Sequence, residues 1–373
     1  MLVRKAFQFR LRPTKKQAKA LQVHLDECRW LYNELLEQRK LAHEDLDISL
    51  SKYQQSMFLP LLKEERPILA QIHSQALQNV VDRLDKGFQA FFRRCKAGET
   101  PGFPRFRGVH RYNSFCYPQS GFALVGKELK LSKIGNIRVK LHRPIVGEIK
   151  TCTLRKNASG DWNVSLSCEV NIEPQAPREE AVGIDVGLTH FVTLSNGREI
   201  ANPRFFKLGE QALAKAQRKL AKLKKGTPER RKQGKIVAKV HENISNQRRD
   251  FCHKESKKII DQYQFICVED LNIKKMMEGS HFAKSIADAS WNQFRQFLTY
   301  KAEEAGRKLG LANPAYTTQD CSQCNHREVK TLSERMHCCS QCGYKTTRDH
   351  NAAQNILALG IDGLGAIPRS LRL

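Results

Sequence analysis

The chain has 373 residues, 40% of them hydrophobic, and its 64 lysines and arginines outnumber the 38 aspartates and glutamates, giving a formal net charge of +26. This composition excludes a disordered chain and allows two or three hydrophobic cores. The excess of positive charge predicts a polyanionic partner.

Membrane insertion and secretion fit the sequence poorly. There is no run of about 18 or more apolar residues. The first 13 residues alternate basic and apolar side chains, without the apolar core and cleavage site of a signal peptide. We therefore expect a protein that stays inside the cell and has no membrane partner. In that reducing compartment the 12 cysteines are better explained by metal binding than by disulfides.

A strand and two helices are predicted to open the chain. Residues 4–12 alternate in the manner of a strand with one apolar face. Thr14 and Gln17 form a capping-box pattern, which predicts an amphipathic helix that extends to about Arg39. A second helix is predicted over residues 73–95. The apolar strand face comprises Phe7, Phe9 and Leu11, and the inward face of the second helix comprises Ala76, Val80, Leu84, Phe88, Phe91 and Phe92.

Short alternating runs broken by Gly, Pro and Asn fill residues 115–170 and predict a small barrel or sheet. One of its hairpins is predicted to turn at residues 157–160. Residues 173–181, rich in proline and charge, predict a linker. The next strand, residues 182–186, is followed by a hairpin signal at Asn196 and Gly197.

Residues 207–258 carry 17 lysines and arginines against five acidic residues, a net charge of +12. Charged helices are usually just solvated, but this segment holds nearly half of the chain's excess charge, which favours a nucleic-acid clamp. Four arginines among aromatics in the N-terminal half, Arg105, Arg107, Arg111 and Arg155, also fit such a surface, although a solvated basic rim explains each of them at least as well. The apolar face of the basic segment is predicted to comprise Leu208, Ala212, Ala216, Leu220 and Leu223. The candidate nucleic-acid contacts are Arg105, Arg107, Lys224, Lys225, Arg230, Arg231, Arg248 and Arg249.

Three acidic residues stand at unusual places on three separate elements. Asp185 interrupts an apolar strand, Glu269 ends the apolar strand that begins at Phe265, and Asp349 precedes a helix that begins Asn-Ala-Ala. Three such residues predict a convergent cluster that binds divalent cations through oxygen ligands. A structural role, such as a charge on a solvated face, has to be invoked separately for each acid.

Two identical cysteine knuckles provide the most specific motif. Cys321 and Cys324 form the first pair, Cys339 and Cys342 form the second, and 14 residues separate the pairs. Four thiolates at this spacing predict a closed tetrahedral zinc site without a free catalytic position. Redox-active pairs are the alternative, but neither pair has a thioredoxin-like strand-helix setting. Cys338 is an adjacent thiol that breaks the two-residue spacing.

Several sequence blocks occur in an order that resembles the TnpB family, also described as OrfB-type transposases, the transposon-encoded relatives of type V CRISPR nucleases. The N-terminal segments FRLRPTKKQAKAL and CRWLYNELL resemble the opening of that family, and the likeness covers essentially the whole chain. The other blocks are GIDVGLTHFVTLSNG, VEDLNIKKM, DASWNQFRQFLTYKAEEAG, the paired knuckles and RDHNAAQNI.

The resemblance implies a mixed α/β multidomain fold, in which a RuvC/RNase H-like nuclease core with an inserted zinc ribbon follows an N-terminal wedge-like β-barrel that carries a helical recognition insert. The expected domains are the wedge-like barrel at 1–13 and 101–172, the helical insert at 14–100, the linker at 173–181, the RuvC-like core with its basic helical insert at 182–316, the zinc ribbon at 317–346, and the C-terminal part of the core with a tail at 347–373.

The resemblance also implies an RNA-guided DNA endonuclease that supports a transposable element. Its catalytic acids would be Asp185, Glu269 and Asp349, with Mg²⁺ or Mn²⁺ as the catalytic metal. Its structural Zn²⁺ would be held by the four knuckle cysteines. Its partners would be a guide RNA from the transposon end and double-stranded target DNA beside a short motif that the protein recognises, in a cytoplasmic, nucleoid-associated setting.

One position departs from the family pattern, because Thr347 stands where members commonly carry an acidic residue two positions before the last catalytic aspartate. This departure affects a supporting role and leaves the three acids in place. Two alternative functions are a non-cleaving RNA-guided repressor and an accessory or strand-joining protein of transposition. The presence of all three acids argues against the repressor, and the sequence carries no tyrosine or serine recombinase signature.

Overall fold

The computed structural model describes residues 1–331 and 334–363. The chain divides into two compact units, one formed by residues 2–171 and the other by Met1 together with the residues from Ile172 onward. Each unit has its own sheet and core. None of the described helices is long and apolar enough to cross a membrane.

The first unit is built on a seven-stranded antiparallel sheet that curls into a nearly closed barrel. Its strand order is β2-β6-β7-β1-β5-β4-β3. The elements are β1 (Leu2–Arg12), α1 (Lys15–Leu46), α2 (Lys52–Met57), α3 (Leu59–Glu65), a 3-10 turn (Pro67–Gln71), α4 (Ser74–Lys96), β2 (Ser114–Tyr117), β3 (Phe122–Val125), β4 (Glu128–Leu131), β5 (Gly135–Lys140), β6 (Glu148–Lys156) and β7 (Trp162–Asn171).

The central strand β1 confirms the predicted alternation, because Phe7, Phe9 and Leu11 are all buried. Thr14 and Gln17 form the predicted capping box at the start of α1. The helix continues past Arg39, contrary to the prediction, and ends at Asp47, whose left-handed backbone conformation stops it. Arg39 lies inside the fold, where its guanidinium pairs with Asp85 at 3.0 Å.

The inward face predicted for α4 is correct as far as Phe88 and wrong beyond it. Phe92 is 56% exposed and Phe91 is only half-buried. The reason is that the last turns of α4 extend past the core, where the following loop brings Phe103 to 5.3 Å from the ring of Phe91. The predicted hairpin is present as β6 and β7, joined by a turn that begins at Asn157.

The second unit contains a five-stranded mixed sheet of order β10-β9-β8-β11-β12. Strands β8, β9 and β10 pair antiparallel, whereas β8, β11 and β12 run parallel to one another. Its elements are β8 (Ala181–Val186), β9 (His190–Leu194), β10 (Glu199–Ala201), α5 (Phe205–Ala221), α6 (Pro228–Gln262), β11 (Phe265–Glu269), α7 (Ile273–Met277), α8 (Ala283–Ala289), α9 (Trp291–Ala305), β12 (Lys308–Ala312), β13 (Met336–Cys338), β14 (Lys345–Thr347) and α10 (Arg348–Gly363).

Helices cover both faces of this sheet. On one face, Val182 and Ile184 of β8 pack with residues of α6 and α9. On the other face, β11 packs against α10, which approaches unusually closely at two glycines. A Cβ at Gly183 would lie 2.0 Å from the carbonyl oxygen of Ala353, and one at Gly360 would lie 2.4 Å from Cβ of Cys267. Only glycine at these positions allows α10 to lie this close to the sheet.

The basic segment forms the helical pair α5 and α6, which pack against each other. The predicted apolar face of α5 is buried only in part. Ala216 is buried and Leu220 is half-buried, but Leu208 is 77% exposed and Ala212 is also exposed, while Leu213, outside the predicted face, is buried. Contacts with α6 determine which side of α5 is covered. The side chain of Gln233 donates to the carbonyl of Ala216 at 3.0 Å, a tertiary contact that helical spacing in α5 alone does not encode.

Candidate active site and metal centre

Parallel pairing of β8 and β11 brings Asp185 and Glu269 to the same edge of the sheet. Val268 lies opposite Ile184 in the register, so the next residue of each strand, Glu269 and Asp185, are neighbours. Val182 and Ile184 face α6 and α9. Because side chains alternate along a strand, Asp185 projects to the α10 face, as Cys267 and then Glu269 do on β11.

The third acid reaches the same place from α10. The helix begins at Arg348, so Asp349 lies in its first turn and not before the helix as predicted. The Oδ2 atom of Asp349 is 4.0 Å from the position that a Cβ on Gly187 would occupy, just beyond the end of β8. A carboxylate in the first turn also interacts favourably with the helix dipole. The structure therefore brings the three predicted acids to one edge of the sheet.

The three carboxyl groups affect one another electrostatically. Asp185 is 8% exposed, and burial raises its pKa well above the usual range, with further upward contributions from Glu269 and Asp349. Arg348, whose Nε lies 3.7 Å from Asp349, acts in the opposite direction on the pKa of Asp185. Burial also raises the pKa of Glu269. Buried like charges of this kind need protons or a cation to neutralise them.

The chemistry of the donors fits a hard divalent cation, since all three side chains offer carboxylate oxygens. Among the described residues, the ligand atoms of the four knuckle cysteines lie close enough together to share one metal ion.

The sulfur atoms of these four cysteines all lie within 4.8 Å of one another. Cys321 and Cys342 are 3.6 Å apart, and Cys324 and Cys339 are 3.5 Å apart. Tetrahedral thiolates with Zn–S bonds of about 2.3 Å have sulfurs roughly 3.8 Å apart, so the donor set fits zinc. Hydrogen bonds from backbone amides, that of Cys342 first, lower the pKa of Cys339 to about 6, whereas burial and contacts with neighbouring cysteines raise the pKa of Cys324 and Cys342. Cys339 is therefore the member of the cluster most readily present as a thiolate. Cys338 is exposed and is not one of the four clustered cysteines.

The turns of the two knuckles share the same backbone conformation. Asn325 and Gly343 each adopt a left-handed conformation. The amide of Asn325 donates to the carbonyl of Cys321, and the amide of Gly343 donates to the carbonyl of Cys339. Both pairs therefore sit in matching tight turns.

Comparison with known proteins identifies relatives along most of the chain. Residues 1–45 match a helix-turn-helix domain family of OrfB proteins, residues 164–279 match the OrfB family described as a probable transposase, and residues 291–356 match a domain described as Cas12f1-like. A protein of Streptomyces pristinaespiralis, provisionally named an RNA-guided DNA endonuclease, is 34% identical over 368 residues, which cover 96% of this chain and 90% of the relative.

The chain belongs to the OrfB/TnpB family. A second relative of similar length, InsQ of Escherichia coli K12, is also provisionally named an RNA-guided DNA endonuclease and is 30% identical over 95% of this chain and 92% of its own. Among solved structures, a complex described as Cas12f1 with sgRNA and target DNA aligns with a TM-score of 0.60 at 13% identity, covering 92% of this chain and 83% of that chain. The family and the mixed α/β fold class predicted from the sequence are thereby confirmed.

Two asparagines that sequence reasoning missed connect the cysteine site to the acids in this OrfB/TnpB chain. Asn351 of α10 donates to the carbonyl of Asp320 at 2.8 Å and accepts from the amide of Ser322 at 2.9 Å. Asn355 donates to the carbonyls of Thr317 and Asp320. Both asparagines are buried. Their spacing of four residues on one helical face, within RDHNAAQNI, is the signal that could have revealed them.

The predicted nucleic-acid contacts of the OrfB/TnpB chain differ in their surroundings. Arg230 donates to the carbonyls of Leu220 and Leu223, at 2.7 and 2.6 Å, and so closes the end of α5. Arg248 forms an ion pair with Asp288 at 2.7 Å. Arg230 therefore links α6 to the end of α5, and Arg248 links α6 to α8. The exposed members of the set are Arg105, Arg107, Lys224, Lys225, Arg231 and Arg249.

The buried charge of Asp185 predicts a stability effect that is separate from catalysis. The pKa of Asp185 is higher in the folded state than in the unfolded state, so the folded protein holds this proton at pH values where the unfolded chain has released it. The folded state therefore loses stability as the pH rises from the unfolded pKa to the folded pKa of Asp185. Without added Mg²⁺ or Mn²⁺, we expect Asp185→Asn to raise the Tm at neutral pH, by roughly 2–4 °C for each kcal/mol recovered. The gain should shrink at low pH, where Asp185 is protonated in both states.

Thermal unfolding followed by circular dichroism across pH measures this effect. Asp270→Asn is the matched control, because Asp270 is exposed and ion-paired with Arg295 at 2.6 Å, and its replacement should give no gain. A Tm for Asp185→Asn below that of the parent at neutral pH would contradict the electrostatic description of the site.

Proposed function

We propose that the chain is an RNA-guided DNA endonuclease encoded by a transposable element and that it hydrolyses phosphodiester bonds at Asp185, Glu269 and Asp349. The observation that carries the proposal is the convergence of these acids, from β8, β11 and α10, at one edge of the sheet. A protein that only binds nucleic acid gains nothing from three converging carboxylates, one buried and two partly buried, that repel one another. The relatives of similar length, provisionally named RNA-guided DNA endonucleases, point to the same activity.

The catalytic metal in this proposal is Mg²⁺ or Mn²⁺, held by the three carboxylates. When bound, such a cation supplies an activated water and offsets charge on the leaving oxygen of the phosphodiester. The protein contributes rigidity. Pairing of β8 with β11 holds two of the acids on backbone that belongs to the core. The third is held by the close packing of α10, which lies against Gly183 of β8 and, through its own Gly360, against Cys267 of β11.

The four knuckle cysteines are proposed to hold a structural Zn²⁺. Zinc would lock the segment that precedes α10, because β14 ends at Thr347 and α10 begins at the next residue. Asn351 and Asn355 attach the start of the same zinc-binding segment to α10. The position of Asp349 would thus depend on the zinc site.

The proposed partners are a guide RNA from the transposon end and double-stranded target DNA. The net charge of +26 and the exposed cations of α5, α6 and the loop between them suit long phosphate backbones. A cytoplasmic, nucleoid-associated location belongs to the same proposal, since such an enzyme acts where the genome lies.

We also propose the domain assignment that the family implies, with the bounds given for the wedge-like barrel, helical insert, linker, RuvC-like core and zinc ribbon. The division of the chain into compact units after Asn171 supports the position of the linker. The assignment of residues 364–373 to the tail lies outside the described residues.

RNA that copurifies with the protein tests the guide. We expect the purified protein to carry one dominant RNA species, and its affinity for nucleic acid to fall about 10³-fold or more between about 50 and 200 mM salt, as for proteins with six or more phosphate contacts. Lys224→Gln combined with Lys225→Gln should reduce the salt slope by roughly two. An RNA-free protein whose DNA binding is insensitive to salt would contradict the proposal.

A further inference from the structure

A buried hydroxyl group contacts one of the three acids. Thr317 lies in the loop after β12, four residues before the first knuckle cysteine, and is 3% exposed. Its Oγ1 atom donates a hydrogen bond to Oε1 of Glu269 at 2.6 Å. The two residues are 48 positions apart in the sequence.

The hydroxyl group of Thr317 donates its hydrogen to Glu269 and not to the other nearby acceptor. A threonine hydroxyl carries one hydrogen, and the other nearby acceptor, the carbonyl of Pro314, is 3.4 Å away. The shorter contact, to an ionisable carboxylate, is the stronger of the two. Burial of Thr317 keeps bulk water from competing for the bond.

The backbone of Thr317 is held from the opposite side. Its carbonyl oxygen accepts from the side-chain amide of Asn355 at 2.8 Å, and Asn355 lies on α10, the helix that carries Asp349. Thr317 therefore links the acid on β11 to the helix of the third acid. A carboxylate bound at one oxygen by a fixed donor loses much of its freedom to rotate.

We propose that Thr317 is a positioning residue, whose hydroxyl fixes the orientation of Glu269 in which this carboxylate shares a divalent cation with Asp185 and Asp349. The inference rests on the proposed function. It adds a role for the loop before the cysteine knuckles, which contacts the acidic cluster directly and does more than connect β12 to the zinc-binding segment.

Two substitutions at Thr317 separate a hydrogen-bonding role from a packing role. Thr317→Val keeps the shape of the side chain and removes the donor, whereas Thr317→Ser keeps the donor and removes a methyl group. If the hydroxyl positions Glu269, the Thr317→Val variant should bind Mn²⁺ about 10- to 100-fold more weakly than the parent. The Thr317→Ser variant should have an Mn²⁺ affinity within about threefold of the parent. If Thr317 only packs, serine should be the worse substitution.

The experiment titrates Mn²⁺ into the RNA-bound protein and follows free Mn²⁺ by electron paramagnetic resonance, a readout that does not require cleavage. The same two variants are then measured in a Glu269→Ala background. There, Thr317→Val should have no additional effect, because the carboxylate that the hydroxyl orients has been removed. A general loss of stability caused by valine would instead appear in both backgrounds.

The role of Thr317 would be overturned if the Thr317→Val variant bound Mn²⁺ as tightly as the parent, or if Thr317→Ser weakened Mn²⁺ binding as much as Thr317→Val. The proposed function would remain intact in both cases. A parent protein that binds no Mn²⁺ at the acids would overturn both. Cleavage of target DNA by the same variants should follow the Mn²⁺ affinities.

Discussion

Replacing Asp185 by alanine is expected to lower cleavage of target DNA on the order of 10³-fold or more, the scale of loss seen when one member of an interdependent catalytic group is removed. Asp185 is the most buried of the three acids, and the charges of Glu269 and Asp349 both raise its pKa. Binding of the guide RNA should remain, because the fold keeps its buried cores. Glu269→Ala and Asp349→Ala should give losses of similar size, and double replacements should be scarcely worse than single ones.

Asp270→Ala is the matched control for these variants. Asp270 follows Glu269 directly in the sequence, but it is exposed and forms an ion pair with Arg295 at 2.6 Å. We expect its alanine variant to cleave at nearly the rate of the parent. Single-turnover cleavage with equal amounts of RNA-bound protein makes the comparison. If Asp185→Ala cuts at the parental rate, the catalytic assignment fails; if only Asp349→Ala does so, the third ligand lies elsewhere.

Loss of the proposed zinc site is expected to have the second large effect. Structural zinc in small peptide sites contributes an apparent 10–16 kcal/mol, on the order of the whole stability of a domain. Replacement of the four knuckle cysteines by serine should therefore unfold the segment around them. The disturbance should reach α10 through Asn351, which binds the chain on both sides of Cys321. Cleavage should be lost with it.

Elemental analysis and proteolysis measure this second effect. The parent should contain about one equivalent of zinc per chain, and the four-serine variant should be cleaved rapidly by protease near residues 317–346. Cys338→Ser is the control, since Cys338 is exposed and outside the four-sulfur cluster, and it should retain zinc and activity. Less than about half an equivalent of zinc in the parent, or a four-serine variant as protease-resistant as the parent, would contradict the assignment.

Local patterns predicted the elements that carry the site. Alternation identified β1, and the apolar runs that contain or end in an acid identified β8 and β11 with Asp185 and Glu269 at their ends. The spacing of the cysteines predicted a four-sulfur cluster that the structure brings together. These features follow from the periodicity of a strand or from a short motif, so a single sequence suffices to find them. The roles of the individual acids stay a prediction.

Features that depend on contacts between distant segments were not predictable in this way. Helical spacing predicted the buried face of α5 only in part, because Gln233 and other residues of α6 determine which side is covered. The exposure of Phe92 reflects where the core ends, and periodicity within α4 carries no information about that limit. Thr317 has no motif of its own, and its contact with Glu269 arises only when β11 and the loop after β12 come together.

Guided cleavage of DNA by the purified protein in Mg²⁺ is the decisive experiment for the proposed activity. RNA that copurifies is sequenced, and double-stranded DNA complementary to its guide segment is compared with DNA in which that segment is scrambled, with a random library in the flanking positions. The parent protein should cut the matched DNA and leave the scrambled DNA intact, and Asp185→Ala should cut neither. Equal cutting of both DNAs by the parent, or of the matched DNA by Asp185→Ala, would contradict the proposed activity.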